Sequence, residues 1–380
     1  MRVLITGGAG FIGSHTADAL IDRGYSVRIL DNLQTTVHPK GMPDYLNPDA
    51  EFMLGDVRDK DTWEKALKGV HAVYHLAAYQ DYLTDFSTFF HVNTVSTALL
   101  YEVLVENASQ ATVEKVIVAA SQAVMGEGRY QCPRCHARDG RFVYPDIRLE
   151  AQLSRGDWDH RCPTCHGILK WMPSDEQVTN PCNQYAISKF SQEQIALQLG
   201  KRYSIPTTVM RYSIVQGPRQ SFYNAYSGAM RIFALSLMFD RPPIIYEDGQ
   251  QVRDFINIGD VVDANILVLE NRDSDDRMFN VGGGKPWTVS GFYDTMEDIT
   301  GKSLPPLVAG YYRYGDTRHI VSDIQRLKGL GWEPRRDLGD SIRQYWDYLH
   351  RQNDMDDILA YAERHMKQLQ VIRQAHPTHE

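Results

Sequence analysis

Residues 2–13, RVLITGGAGFIG, hold a short apolar run, a glycine-rich turn and the start of an apolar-periodic segment. Arg2 to Thr6 predicts a buried strand, and Phe11 to Arg23 the helix that follows it. Between them Gly7, Gly10 and Gly13 recur every third residue, the GxxGxxG form of a dinucleotide-binding turn. Gly7 permits the tight turn, Gly10 admits a pyrophosphate to the backbone, and Gly13 lets helix and strand pack closely. Phe11 and Ile12 open the helix, whose N-terminal N–H groups and partial positive charge suit phosphate.

Working outward, Ser26 to Leu30 predicts a second strand that ends in Asp31-Asn32, with Asp31 placed 18 residues beyond Gly13. A carboxylate there accepts hydrogen bonds from ribose hydroxyls and repels a 2′-phosphate, which favours NAD over NADP. Glu51 to Leu54 and Val73 to Leu76 predict further strands, the second running into Ala77-Ala78. Helices such as Thr94 to Asn107 alternate with them. The expected fold class is α/β, a Rossmann-type doubly wound parallel sheet. Ligands of such sheets collect at the carboxyl ends of the strands, where Asp56, Ala77 and Ser121 would lie.

Composition narrows the setting. The chain has 380 residues, 43% of them hydrophobic and 23% charged, enough for a sizeable core in one large domain or two lobes. A net charge of -8 argues against a nucleic-acid partner. No apolar run reaches the ~20 residues that span a bilayer, so no membrane partner is expected. A strand begins at once and no signal-peptide layout is visible, so a cytoplasmic location is expected. In a reducing compartment, five cysteines, four of them in two CxxC pairs, suggest metal rather than disulfides.

Tyr185-Ala186-Ile187-Ser188-Lys189 opens an apolar-periodic stretch running to Leu199, and on a helix Tyr185 and Lys189 share a face. A tyrosine with an ordinary pKa near 10 is a poor base at neutral pH. A neighbouring ammonium favours the phenolate and brings it toward the working range. Ser121, ending the strand Lys115 to Ala120, is placed to hydrogen-bond the same substrate hydroxyl.

The ordered set TGGAGFIG (6–13), GDVRD (55–59), HLAA (75–78), Asn93-Thr94-Val95-Ser96, AASQAVMG (119–126), YAISK (185–189), RYSIVQGPRQ (211–220) and DGQQVRDF (248–255) resembles extended short-chain dehydrogenases that act on nucleotide sugars. The resemblance implies that Asp56 and Val57 hold adenine and Asp31 and Asn32 the ribose. Leu76, Ala77, Ala78, Tyr185 and Lys189 would complete the NAD site. Ser121, Tyr185 and Lys189 match its catalytic triad, and Asn93 an asparagine that supports the site. Arg253 and Arg318 match arginines that hold the nucleotide and diphosphate, a task suited to bidentate guanidinium groups. Dimers of that family form through two long helices, here the helix after Asn93 and the one carrying Tyr185, so a homodimer is expected.

Departures from the pattern narrow the chemistry. Family dehydratases place Asp-Glu directly after the catalytic hydroxyl residue, where this chain has Gln122-Ala123. Oxidation at one sugar carbon and return of the hydride to the other face needs only Ser121, Tyr185, Lys189 and NAD. The expected function is therefore NAD-dependent epimerisation, at C4 by resemblance, through a transient 4-keto sugar. The alternative is a dehydrogenase or reductase that exchanges cofactor at each turnover; a third reading is a non-catalytic nucleotide-sensing or scaffold protein that binds partners through the cysteine insert. Ile214, Gln216 and Met125 replace the family's asparagine, tyrosine and tyrosine, which alters the diphosphate site. Tyr79, Gln80, Asp81 and Tyr82 would face the sugar, as would Gln122.

Between Ser121 and Tyr185 lie 63 residues that hold Cys132-Pro133-Arg134-Cys135 and Cys162-Pro163-Thr164-Cys165. Two knuckles separated by 26 residues offer four thiolates for a structural, tetrahedral zinc ribbon. Zinc would also supply folding energy to a segment too small for a core of its own. Cys182 stands apart and reads as packing. An insert at this place, led in by VMGEGRY (124–130), resembles a subgroup similar to dTDP-L-rhamnose 4-epimerases. The expected division is an NAD-binding domain (1–127 and 178–210), a zinc-ribbon insertion (128–177), a smaller mixed α/β substrate lobe (mainly 211–350) and a helical tail (351–380, its helix spanning Asp354 to Gln374).

Overall fold

The computed structural model describes residues 1–81, 83–109, 112–221, 228–352 and 372–376. Its centre is a seven-stranded parallel sheet. The strands are β1 (Arg2–Thr6), β2 (Ser26–Asp31), β3 (Glu51–Leu54), β4 (Ala72–His75), β5 (Lys115–Ser121), β6 (Thr207–Tyr212) and β7 (Arg277–Val281). They lie in the order β7-β6-β5-β4-β1-β2-β3, so the chain reverses direction between β1 and β4. That reversal opens a crevice at the strands' carboxyl ends.

Both faces of the sheet are covered, which is why its strands read as continuous apolar runs rather than alternating ones. Val3 and Ile5 pack with Ala17 and Leu20 of α1 (Phe11–Asp22) and with Val261, Ala264 and Val268 of the helix Ile258–Glu270. Leu4, Val73, Val116 and Val118 face the other way, against Leu100, Tyr101 and Leu104 of α2 (Ser96–Glu106) and Ala196 of α3 (Gln184–Tyr203). Asn183 caps α3, its Oδ1 accepting the Ala186 N–H at 2.8 Å.

Two elements of segment 211–350, the helix Ile258–Glu270 and strand β7, return to complete the large sheet. The remaining lobe is a three-stranded sheet of Ile214–Gln216, Val252–Asn257 and Pro286–Thr288. It is packed by Phe233, Phe292, Tyr293, Ile342 and Tyr345 from the helices Ala229–Met238, Val289–Thr300 and Leu338–His350.

The helix expected from Thr94 begins earlier, at Phe86, and passes through a π-turn at Phe90–Val95 before α2. The wider turn carries Asn93 inward, fully buried. Most of the expected helical tail lies outside the described residues. Its end is corrected: Ile372–Gln374 is a strand, antiparallel to Tyr311–Arg313, whose backbone groups it satisfies.

The cysteine insert leaves and re-enters the body at one neck, where Asn180 N–H donates to the Val124 carbonyl at 2.9 Å. Gly126 there has φ +60, and a Cβ would sit 2.1 Å from the Asn180 carbonyl oxygen. Only glycine fits. Three short antiparallel strands, Arg129–Gln131, Phe142–Val143 and Lys170–Met172, carry the knuckles. The four cysteine sulfurs lie within 4.8 Å of one another. No helix among the described residues is long and apolar enough to cross a membrane.

Candidate active site at the carboxyl edge of the sheet

The glycine turn is shaped by close approaches. Gly7 has φ +66, and a Cβ would lie 2.8 Å from the Ala77 backbone. At Gly13 a Cβ would fall 2.4 Å from the Gly7 carbonyl and 2.7 Å from Gly8 Cα. Asp31 braces this turn, one carboxylate oxygen accepting Ala9 N–H at 3.0 Å and the other Leu33 N–H at 2.9 Å. The turn thus presents bare backbone at the start of α1, the cradle a pyrophosphate needs. Gly13→Ala should push the turn out of shape, because backbone rather than a flexible side chain is in the way. We expect NAD retained on the purified protein to fall roughly tenfold or more, read by absorbance after denaturation; full retention would show the turn is dispensable.

Further from the turn, Asp56 accepts from Arg58 at 2.7 and 2.9 Å and from Asn32 at 3.0 Å. The Arg58 guanidinium holds the Asp56 carboxyl down to about 2. Val57 is buried, and its carbonyl accepts the Trp63 indole N–H at 2.8 Å.

A cavity of about 550 Å³ runs from Phe11, Ile12, Leu76 and Ala78 past Ser121, Tyr185 and Lys189 to Arg253 and Arg313. Ser121 ends β5, and its Oγ accepts the Ala123 N–H at 3.2 Å. Tyr185 and Lys189 stand one turn apart on α3. Lys189 is 1% exposed, and its Nζ donates to the Ala119 carbonyl at 2.8 Å and to Gln192 at 2.9 Å. Those acceptors use two of an ammonium's three N–H groups and leave one for the cavity. Burial pushes the Lys189 pKa down to about 7, opposed by the charge of Glu193. Glu193 is itself held by Arg211 at 2.7 and 2.8 Å, and Arg211 also grips the Glu176 and Val178 carbonyls. The helix carrying Tyr185 and Lys189 is thereby tied to the strand beside it and to the chain returning from the insert.

Gln80 and Gln122 line the cavity. The Gln122 amide donates to Ser213 at 3.1 Å and Ser322 at 2.7 Å. Ser213 donates to the buried Asp254 at 2.8 Å. Burial raises Asp254 to about 6, opposed by the Ser213 hydroxyl and the Ser322 and Gly283 N–H groups that donate to it. With its N–H groups committed, Gln122 keeps its carbonyl oxygen as its free function.

Three expected residues take other places. Tyr79 is 5% exposed, donates its hydroxyl to Asp85 at 2.8 Å and stacks edge-on against Phe89, so it packs behind the site. Asn93 does not line the cavity. Its amide exchanges hydrogen bonds with the Tyr79 backbone at 2.8 and 3.0 Å and donates to Ser188 at 2.9 Å, which joins the loop after β4 to α3. Arg318 is buried among Asp159, Glu247 and Asp248, with contacts of 2.7 to 3.0 Å, because three carboxylates outcompete the cavity for its guanidinium. Tyr82 lies outside the described residues.

Arg313, five residues before Arg318, lines the cavity in its stead. It is set by Asp316 at 2.9 Å and stacked on Tyr246 at 4.9 Å. Alternation along the strand Tyr311–Arg313 aims it there, which sequence spacing alone did not reveal. Among the described residues Arg253 donates to the carbonyls of Val252, Arg318 and Thr317, at 2.7 to 3.0 Å, while the charges of Asp316, Glu247 and Glu127 act on it without a hydrogen bond. Ile214 lines the wall between and offers no hydrogen bond.

The cavity thus joins an apolar nucleotide cradle, a Ser/Tyr/Lys group and a cationic end. Comparison with known proteins agrees with that layout. A family described as "NAD dependent epimerase/dehydratase family" matches residues 3–145 and 167–282. A dTDP-L-rhamnose 4-epimerase of Burkholderia thailandensis is 31% identical over 362 residues, covering 93% of this chain and 96% of that protein. Among solved structures, UDP-glucose 4-epimerase of Thermotoga maritima with UDP-glucose aligns with a TM-score of 0.75 at 28% identity, covering 92% and 99% of the two chains. The Thermus thermophilus UDP-glucose 4-epimerase complex with NAD aligns with a TM-score of 0.71 at 26% identity, covering 93% and 100%. The protein is therefore a member of the NAD-dependent epimerase/dehydratase family, an enzyme built on the extended short-chain dehydrogenase fold.

Proposed function

We propose that this enzyme is an NAD-dependent 4-epimerase of a nucleotide sugar. The observation that carries the reading is the convergence of Ser121, Tyr185 and Lys189 on one cavity that ends at Arg253 and Arg313. Gly7, Gly10, Gly13 and Asp31 would hold NAD, with Phe11, Ile12, Leu76 and Ala78 along its path. When bound, NAD supplies the hydride acceptor and donor at the sugar carbon. Tyr185 takes the proton of the sugar hydroxyl as the carbon becomes a ketone, and returns it after the hydride arrives on the other face. Ser121 hydrogen-bonds the same oxygen. Lys189, when protonated, places positive charge near the phenolate, and Glu193 favours that form. Arg253 and Arg313 take the diphosphate, since the wall at Ile214 offers it nothing.

Neither Gln122 nor Ala123 can serve as an acid, which disfavours dehydration. The four converging thiols support a structural zinc. Sulfurs bound to zinc at ~2.3 Å stand ~3.8 Å apart on a tetrahedron; here Cys135 and Cys162 lie 3.9 Å apart and Cys132 and Cys165 3.4 Å. Four cysteines close the site, so the metal has no catalytic position. Such a thiolate site suits a reducing, cytoplasmic setting. A homodimer would pair the faces of α2 and α3, where Val95, ending the π-turn before α2, and Ile187 of α3 are 40% and 42% exposed.

The test is incubation of purified protein, with no added cofactor, with UDP-, dTDP-, GDP- and CDP-sugars, followed by chromatography. A 4-epimer is the expected product. Absence of any isomer, with turnover only on added NAD, would replace epimerisation by net oxidation.

A further inference from the structure

We propose that the cysteine insert is a positioning element of the substrate site, acting through Arg148 and Asp159 on the segment that orients Arg253. This rests on the reading of Arg253 as a diphosphate ligand. Among the described residues Arg253 has no carboxylate as a hydrogen-bond partner; its two terminal nitrogens are steered by the carbonyls of Thr317 and Arg318 at 2.7 and 3.0 Å, along with that of Val252. Where those carbonyls stand therefore decides where its charge points.

The insert holds that segment from two sides. Arg148 donates to the Asp316 carbonyl at 2.7 Å, and its fork meets Glu247 with two contacts of 2.8 Å in a pair only 1–2% exposed. Asp159 accepts from Arg318 Nε at 2.9 Å, while Glu247 and Asp248 take the rest of that guanidinium. Glu127, at the neck of the insert, accepts the Arg318 backbone N–H at 2.8 Å. Asp159 precedes Cys162 by three residues, so the cysteine cluster is covalently close to one end of this chain of contacts.

The physical argument is one of balance. An arginine with no carboxylate in contact offers an anion its charge most fully; Arg313, set by Asp316 at 2.9 Å, offers less. Anchoring Arg253 on carbonyls keeps its charge, but carbonyl dipoles hold an arginine only if their own backbone is fixed. Arg318 performs that fixing with three carboxylates, two from the substrate lobe and one from the insert. The insert thus shapes the cationic end of the cavity although none of its residues lines that cavity.

Removing Arg148 outright would leave Glu247 short of a buried partner and could unfold the lobe. The test therefore uses Asp159→Asn, at a side chain 35% exposed, with Arg148→Lys as the second variant. Calorimetry with UDP, dTDP, GDP and CDP reads affinity for the diphosphate apart from chemistry. Both variants should weaken the preferred nucleotide roughly tenfold, raise KM in step, keep kcat within about twofold and keep bound NAD. In an Arg253→Ala background Asp159→Asn should weaken binding no further. Unchanged nucleotide affinity in both variants, or an undiminished effect of Asp159→Asn without Arg253, would overturn the proposal, as would failure of all four nucleotides to bind the wild type. Nucleotide binding that couples Asp159 to Arg253 in a protein that epimerises no sugar would leave this inference standing and remove the epimerase reading.

Discussion

Tyr185→Phe should lower turnover at least ~10²-fold, the effect of losing a positioned acid–base group. Phenylalanine keeps the ring on the face of α3 that lines the cavity and deletes only the hydroxyl. Its neighbour Lys189 is anchored independently, on the Ala119 carbonyl and Gln192. Bound NAD and nucleotide affinity should therefore match wild type, so that the loss appears in kcat and not in KM. Steady-state kinetics on the sugar found by the screen, with NAD content measured on the same preparation, is the check. Near-normal kcat would remove Tyr185 as the proton carrier and with it the mechanism.

Cys132→Ser should abolish metal binding and loosen the insert. A closed four-thiolate site with one ligand removed loses the geometry zinc prefers, and binding energy at such sites is folding energy. Cys132 and Cys162 are buried with Tyr130 and Leu169 in the insert's small apolar cluster, against which Cys135, Val143, Cys165 and Trp171 pack. Elemental analysis should give about one zinc per wild-type chain and close to none in the variant, together with a lower melting temperature and faster proteolysis within residues 128–177. Wild-type protein free of metal would refute the ribbon. The NAD cradle is remote from the cluster, so bound cofactor should survive; its loss would mean that the insert supports the whole sheet.

Much of this architecture is legible along the chain, and the reason is locality. Gly7 and Gly13 are required by contacts within one turn and the strand beside it. Tyr185 and Lys189 share a face because four residues make about one helical turn. The cysteine knuckles bring two thiols together within four residues, and only the pairing of the two knuckles needs the fold. Asp31 at the end of β2 follows from strand length.

Other assignments depended on contacts between distant segments. Arg313 and Arg318 are both arginines in one short stretch, and nothing in their spacing tells which faces the cavity. The strand Tyr311–Arg313, paired with Ile372–Gln374, turns the first inward, while Asp159 from the insert helps bury the second. Tyr79 could have met the sugar, but Asp85 and Phe89 hold it behind the site, and a π-turn brings Asn93 to its backbone. What the sequence by itself determined is the first five strands, β1 to β5, the cofactor turn, the Tyr/Lys pair and the thiol set, each set by local periodicity or spacing, whereas β6 and β7 join the sheet by pairing across the chain. Which polar side chains reach the substrate only the tertiary structure decided, because that choice is a competition among buried charges brought together from segments as much as 159 residues apart.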